Sequence, residues 1–288
     1  MRRPAVIAGC LAALLAGCAG ERPYRRDGPG PTPAQVAQRQ QWSLAAQAAI
    51  DRRDWPRALA ELHRLQAEMP RSAEVQHRLG LVCLGQGRLD AAGVAFQRAL
   101  ALDPEYVDAL VGLGEVEGRL GHLEAALGRI DAAIEIDPRR TSAHLAEGRV
   151  CELLGRTDDA LAAYFRALQL DPTSAPALLR AATIQVARGQ YDQALARLDD
   201  AVELAPDDPE SRYQRGRAHL ALKHVPAALA DLRFAAARFP DRPDVLCDLA
   251  LALDAGHQRA EALRAAERAL QIAPDFAVAR DLSVRLRR

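Results

Sequence analysis

From Pro70 to Pro274 a proline stands at every thirty-fourth residue: Pro70, Pro104, Pro138, Pro172, Pro206, Pro240 and Pro274. Five of them close similar words, ALALDP at Pro104, AIEIDP at Pro138, ALQLDP at Pro172, AVELAP at Pro206 and ALQIAP at Pro274. A period of this length restricts the chain to a stack of like units, because one supersecondary unit cannot bury its apolar face alone and must lean on copies of itself. Within a unit, apolar residues recur at helical spacing. Val75, Leu79 and Val82 are followed by Leu89, Ala92, Phe96 and Leu100, which predicts two amphipathic helices per unit. Proline ends the second helix, since it lacks an N–H and restricts the residue before it. The remaining prolines after residue 55, Pro56, Pro176, Pro209, Pro226 and Pro243, fall where a first helical turn begins and the missing donor is tolerated. Gly87, Gly121, Gly155 and Gly189 mark the turn between the two helices, where a positive φ is easiest for glycine.

Small residues recur with the same period. When each unit is counted so that its proline is position 32, position 8 carries Ala46, Gly80, Gly114, Gly148, Ala182, Gly216 and Ala250. Position 20 carries Ala58, Ala92, Ala126, Ala160, Ala194, Ala228 and Ala262. Position 27 is alanine from Ala99 to Ala269, with Leu65 as the departure in the first unit. Small side chains suit helices that must approach closely, and Phe96 and Tyr164 at position 24 would fill the space between units. The pattern resembles the tetratricopeptide repeat (TPR), a helix-turn-helix unit of this period. Gly80, Gly114, Gly148, Ala92, Ala126, Ala160, Pro104, Pro138 and Pro172 stand at its signature positions. The resemblance implies an all-α fold: a right-handed superhelix (α-solenoid) of about seven repeats over residues 34–274. A capping helix follows at 275–288, with Ala279, Leu282 and Leu286 on one face.

In that family the first helix of each unit lines the concave face through positions 2, 5, 9 and 12. Carried onto this chain, the candidate groove comprises His77, Leu81, Val111, Glu115, Leu145, Arg149, Glu152, Leu179, Thr183, Tyr213 and Arg217. Val111, Leu145, Leu179 and Tyr213 would form an apolar stripe bordered by Glu115, Arg149, Glu152 and Arg217. Such a strip suits an extended peptide or an amphipathic helix of a protein partner. The competing reading is that some of these residues only pack between units. The lysine and asparagine clamp that chaperone-binding members use for a C-terminal carboxylate is missing.

Catalytic chemistry leaves no mark. There is no G-x-S-x-G, H-E-x-x-H or P-loop pattern, and GLGEVEG at 112–118 has the wrong spacing for a phosphate loop. The histidines are scattered; the closest pair, His219 and His224, stands five apart and so off a shared helical face. Cys83 and Cys151 lie two units apart and Cys247 is alone, so they read as small packing residues. Neither a catalytic residue, a metal site, a cofactor nor a small-molecule substrate is expected. Basic and acidic residues cancel at 38 each, which leaves no overall field to attract nucleic acid.

The first residues carry a separate message. Arg2 and Arg3 precede an uncharged run, Pro4 to Ala16, and small residues lead to Cys18, the three parts of an export signal. The stretch from Pro4 to Ala19 is 16 residues, below the roughly 20 that span a bilayer. Leu15, Ala16, Gly17 and Cys18 resemble the lipobox of bacterial lipoproteins; Ile7 to Cys10 match it too but stand too close to the arginines. The resemblance implies a signal peptide at 1–17 and acylation of Cys18 after cleavage. A flexible Pro/Gly-rich tether at 18–33 would follow. Ala19 after the cysteine, rather than aspartate, implies sorting to the periplasmic face of the outer membrane. The expected protein is a non-enzymatic, lipid-anchored scaffold that helps assemble an envelope machine such as a pilus or secretion system. The alternatives are a regulator of peptidoglycan or outer-membrane biogenesis enzymes, and a cytosolic adaptor or an enzyme with an unrecognised site.

Overall fold

The computed structural model describes residues 31–287, and all the regular elements among them are α-helices. They are α1 (Pro33–Asp51), α2 (Trp55–Glu68), α3 (Ala73–Gly85), α4 (Leu89–Leu102), α5 (Val107–Arg119), α6 (Leu123–Ile136), α7 (Thr141–Leu153) and α8 (Thr157–Leu170). The series continues with α9 (Ala175–Ala187), α10 (Tyr191–Leu204), α11 (Pro209–Ala221), α12 (Val225–Arg238), α13 (Pro243–Ala255), α14 (Arg259–Ile272) and α15 (Ala277–Arg287). Odd helices from α3 to α13 are first helices of 13 residues, and even ones are second helices of 14. Only α1 is longer. Its cap is Thr32, whose side chain accepts from Gln35 N while the Gln35 side chain accepts from Thr32 N at 2.8 Å. Pro33, assigned above to the tether, is therefore the first residue of α1, where the reciprocal cap fixes the backbone. The expected export signal, Cys18 and the tether up to residue 30 lie outside the described residues.

Two tight connections alternate along the stack. Between the helices of a unit one residue turns left-handed: Gly87 (φ 74°), Gly121 (φ 86°), Gly155 (φ 73°) and Gly189 (φ 73°). Arg53, Lys223 and His257 do the same in the other three units, at φ 57°, 62° and 59°. The geometry belongs to the turn and not to glycine. Between units, the carboxylates of Asp103, Asp137 and Asp171 accept the N–H two residues on, at 3.0–3.1 Å, before the next first helix starts.

Packing explains the small residues. All seven position-20 alanines are fully buried. A Cβ at Gly80 would lie 2.5 Å from the Phe96 ring, one at Gly114 2.8 Å from Ile130, and one at Gly216 2.8 Å from Leu232; at Gly148 it would collide with Tyr164. Position 8 is thus a hole cut for the bulky side chain at position 24 of the same unit. First helices also touch across units, α3 on α5, α5 on α7, α9 on α11, α11 on α13 and α13 on α15, with no comparable contact between second helices. The first helices therefore line the inner side of a curved stack. At its C-terminal end α15 lies on α13 and α14 with Ala279, Leu282 and Leu286 buried. Cys83, Cys151 and Cys247 are unpaired thiols, the last two buried, and burial pushes Cys247 up to about 11.

Candidate functional site

The inner face is built by α3, α5, α7, α9 and α11, and its candidate residues divide by burial. Val111 and Tyr213 are only 6% and 4% exposed and belong to the seams between units, which breaks the continuous apolar stripe expected from the sequence. His77 is wedged between the rings of Phe96 and Tyr106, with centroids at 5.7 and 5.4 Å; burial holds its imidazole below the ordinary value. Leu81 packs on the same cluster as Phe96. Thr183 turns its hydroxyl back to donate to Leu179 O at 2.8 Å. These residues hold the wall rather than present it.

The open surface lies in the middle of the stack. Two depressions adjoin there, one of about 380 Å³ crossed by α5, α7 and α9, the other of about 400 Å³ crossed by α7, α9 and α11. Arg149 and Arg180 line both. Leu145 and Leu179, both half-buried, line the second with Pro176 and Ala175. In the first, Leu153 is 61% exposed and stands near Arg119. Arg149 is ion-paired to Glu115 across one repeat. Glu152 accepts from the buried Tyr164 hydroxyl at 2.5 Å and faces Arg180 at 3.6 Å. Burial and that carboxylate push the Tyr164 phenol far above its usual range, so it stays a donor. The arrangement offers apolar contacts flanked by guanidinium groups that keep spare donors. Arg119, Leu153 and Arg180 were not in the sequence-derived set. They stand at positions 6 and 13, one helical turn from the positions used, and the 3.6-residue period applied beyond the family pattern would have found them.

Toward the C-terminal end the inner face is closed by polar groups. Tyr213 donates to Asp248 at 2.8 Å, and the guanidinium groups of Arg217 and Arg242 lie 5.6 and 4.9 Å from its ring centroid. Arg242 bridges Glu210 and Asp244, each at 2.6 Å, and Arg217 reaches Asp248 at 3.4 Å. Burial raises the pKa of Asp248 and, with Asp248 beside it, of Tyr213. This network joins α11 to α13. Among the described residues no group of three or more His, Cys, Asp or Glu side chains is placed to hold a metal ion, and no helix is long and apolar enough to cross a membrane.

The fold is shared with several solved structures. The chain of the APC/C hetero-tetramer Cut9–Hcn1 aligns over 85% of this protein with a TM-score of 0.73 and 17% identity, and this chain spans 48% of its length. YrrB, a TPR protein with an unusual peptide-binding site, aligns over 66% of this chain and 97% of its own, with a TM-score of 0.56 and 24% identity. PilW, a widely conserved type IV pilus biogenesis factor, aligns over 73% of this chain and 97% of its own, with a TM-score of 0.62 and 19% identity. No curated protein sequence matches the chain. Two family models, both of the tetratricopeptide repeat, match residues 83–149 and 153–220 in one case and 43–107 in the other, together more than half of the 288 residues. With the period, the helix pairs and the position-8 and position-20 contacts in agreement, the chain belongs to the tetratricopeptide repeat family.

Proposed function

We propose that the protein is a non-enzymatic scaffold whose concave face takes an extended segment or amphipathic helix of a protein partner. In this reading acylated Cys18 holds it at the periplasmic face of the outer membrane, where it serves the assembly of an envelope machine. The observation that carries the binding role is the pair of adjoining depressions, where half-buried Leu145 and Leu179 stand beside Arg149 and Arg180. An apolar strip flanked by charged donors fits one face of such a segment. YrrB, which shares the fold, is a peptide binder, and PilW makes type IV pilus assembly the first machine to test by analogy of fold. The lipobox residues Leu15 to Cys18 support the anchor.

The test compares affinity capture from crosslinked host membranes for the wild-type chain and a folded Leu145→Glu, Leu179→Glu variant. A partner present with the first and lost with the second is expected; an unchanged set of partners overturns the groove. The anchor has its own readout. Mass spectrometry of the mature N-terminus should show acylated Cys18, and Cys18→Ala should release the protein from membranes.

A further inference from the structure

We infer that His219 and His224 form a two-histidine chelate for a borderline divalent transition-metal ion, of the Zn²⁺, Ni²⁺ and Cu²⁺ class, on the turn of the sixth unit. The sequence spacing argues against a shared face, because five residues along a helix point apart. The left-handed turn removes that objection. Lys223 at φ 62° folds the chain so that His224 N donates to His219 O at 2.9 Å, and the two side chains come together. The same N–H to carbonyl bond joins Cys83 to Arg88, Glu117 to His122, Cys151 to Arg156, Gln185 to Gln190 and Leu253 to Gln258. In the sixth unit both partners are imidazoles.

Their Nδ1 atoms lie 3.4 Å apart, with ring centroids at 5.6 Å. Two nitrogens bound at about 2.0–2.1 Å to one tetrahedral ion are separated by about 3.3–3.4 Å, so a small rotation of each ring would admit the ion. Without it, one ring must keep a proton on Nδ1 to avoid opposing lone pairs; the metal takes the place of that proton, which moves through solvent to Nε2 of the same ring. Burial lowers the pKa of His219 from its ordinary value; Arg215 and His224 act in the same direction, and Asp231 and Asp199 oppose them. Arg215 holds both carboxylates, at 2.7 and 3.0 Å, so they do not add ligands. The remaining coordination positions face solvent, open to water or to a donor from a partner.

The test is calorimetric titration of untagged protein with Ni²⁺ at neutral pH, alongside His219→Gln and His224→Gln. Both variants should fold, since Gln185 and Gln190 occupy the same two places in the fifth unit. One Ni²⁺ per chain is expected, with binding weakened roughly tenfold or more by either substitution because the second contact of a chelate is intramolecular. In the wild type, Ni²⁺ should broaden the ring signals of His219 and His224 before those of the other histidines. Equal binding by the variants, or none by the wild type, overturns the site.

Discussion

Arg53, Lys223 and His257 hold the left-handed conformation that glycine takes in the other four units. A side chain there costs about 1–2 kcal/mol in the fold, partly offset by the greater freedom glycine has when unfolded. Lys223→Gly should therefore raise stability by about 0.5–1 kcal/mol, read as a higher urea midpoint with an unchanged slope. A lower midpoint would mean that the lysine side chain makes up the difference. The glycines of the turn were legible in the sequence, and so were the holes at position 8, because absence of a side chain is a strong local signal. Arg53, Lys223 and His257 gave no such signal: only the 34-residue register places them, Arg53 and Lys223 one period from Gly87 and Gly189 and His257 two periods from Gly189. The burial of Tyr213 was hidden for a different reason. It depends on Asp248 of the next unit, on Arg242 at the cap of α13 and on their rotamers, which the helical period of α11 does not contain.

At the scale of the helix, starts are weaker than ends. Asp54 caps α2 by accepting from Arg57 N, but α4, α6, α8, α10, α12 and α14 begin at Arg88, His122, Arg156, Gln190, His224 and Gln258 with no side-chain cap. These second helices form because their alanine-rich faces pack, not because their first turns are satisfied. Arg88 has nearly the backbone of Asp54, φ −86° and ψ 74° against −82° and 76°. Arg88→Asp should then supply the missing acceptor and stabilise the protein by about 0.5–2 kcal/mol in chemical denaturation. No gain would show that the turn after Gly87 orients the new carboxylate away. Helix limits were readable because proline and the Asp–Pro words punctuate every second helix. The candidate site was only half readable, since the family positions mark which residues face inward but not which of them remain open once Val111 and Tyr213 have joined the seams.

Over the whole molecule, the substantial helix contacts join elements of one unit or of neighbouring units. Stability is then close to a sum of units and seams, and an end should open without the middle. Deleting residues 277–287 uncovers Leu253, Ala262 and Ala266, which pack with Leu282 and Leu286. Amide exchange in α13 and α14 should accelerate strongly while α5 to α8 keep their protection, as hydrogen-exchange mass spectrometry would record. Uniform acceleration along the chain would mean that the stack melts as one body. The inner contacts between first helices bear on size as well as shape. Because each seam repeats the last, the groove is measured in whole units: excising residues 122–155 would rejoin Gly121 to Arg156 at equivalent points of two turns and shorten the inner face by one step. Its reach is a count of copies, set by how often one 34-residue word is spelled out, and can change by that integer without redesign of any contact.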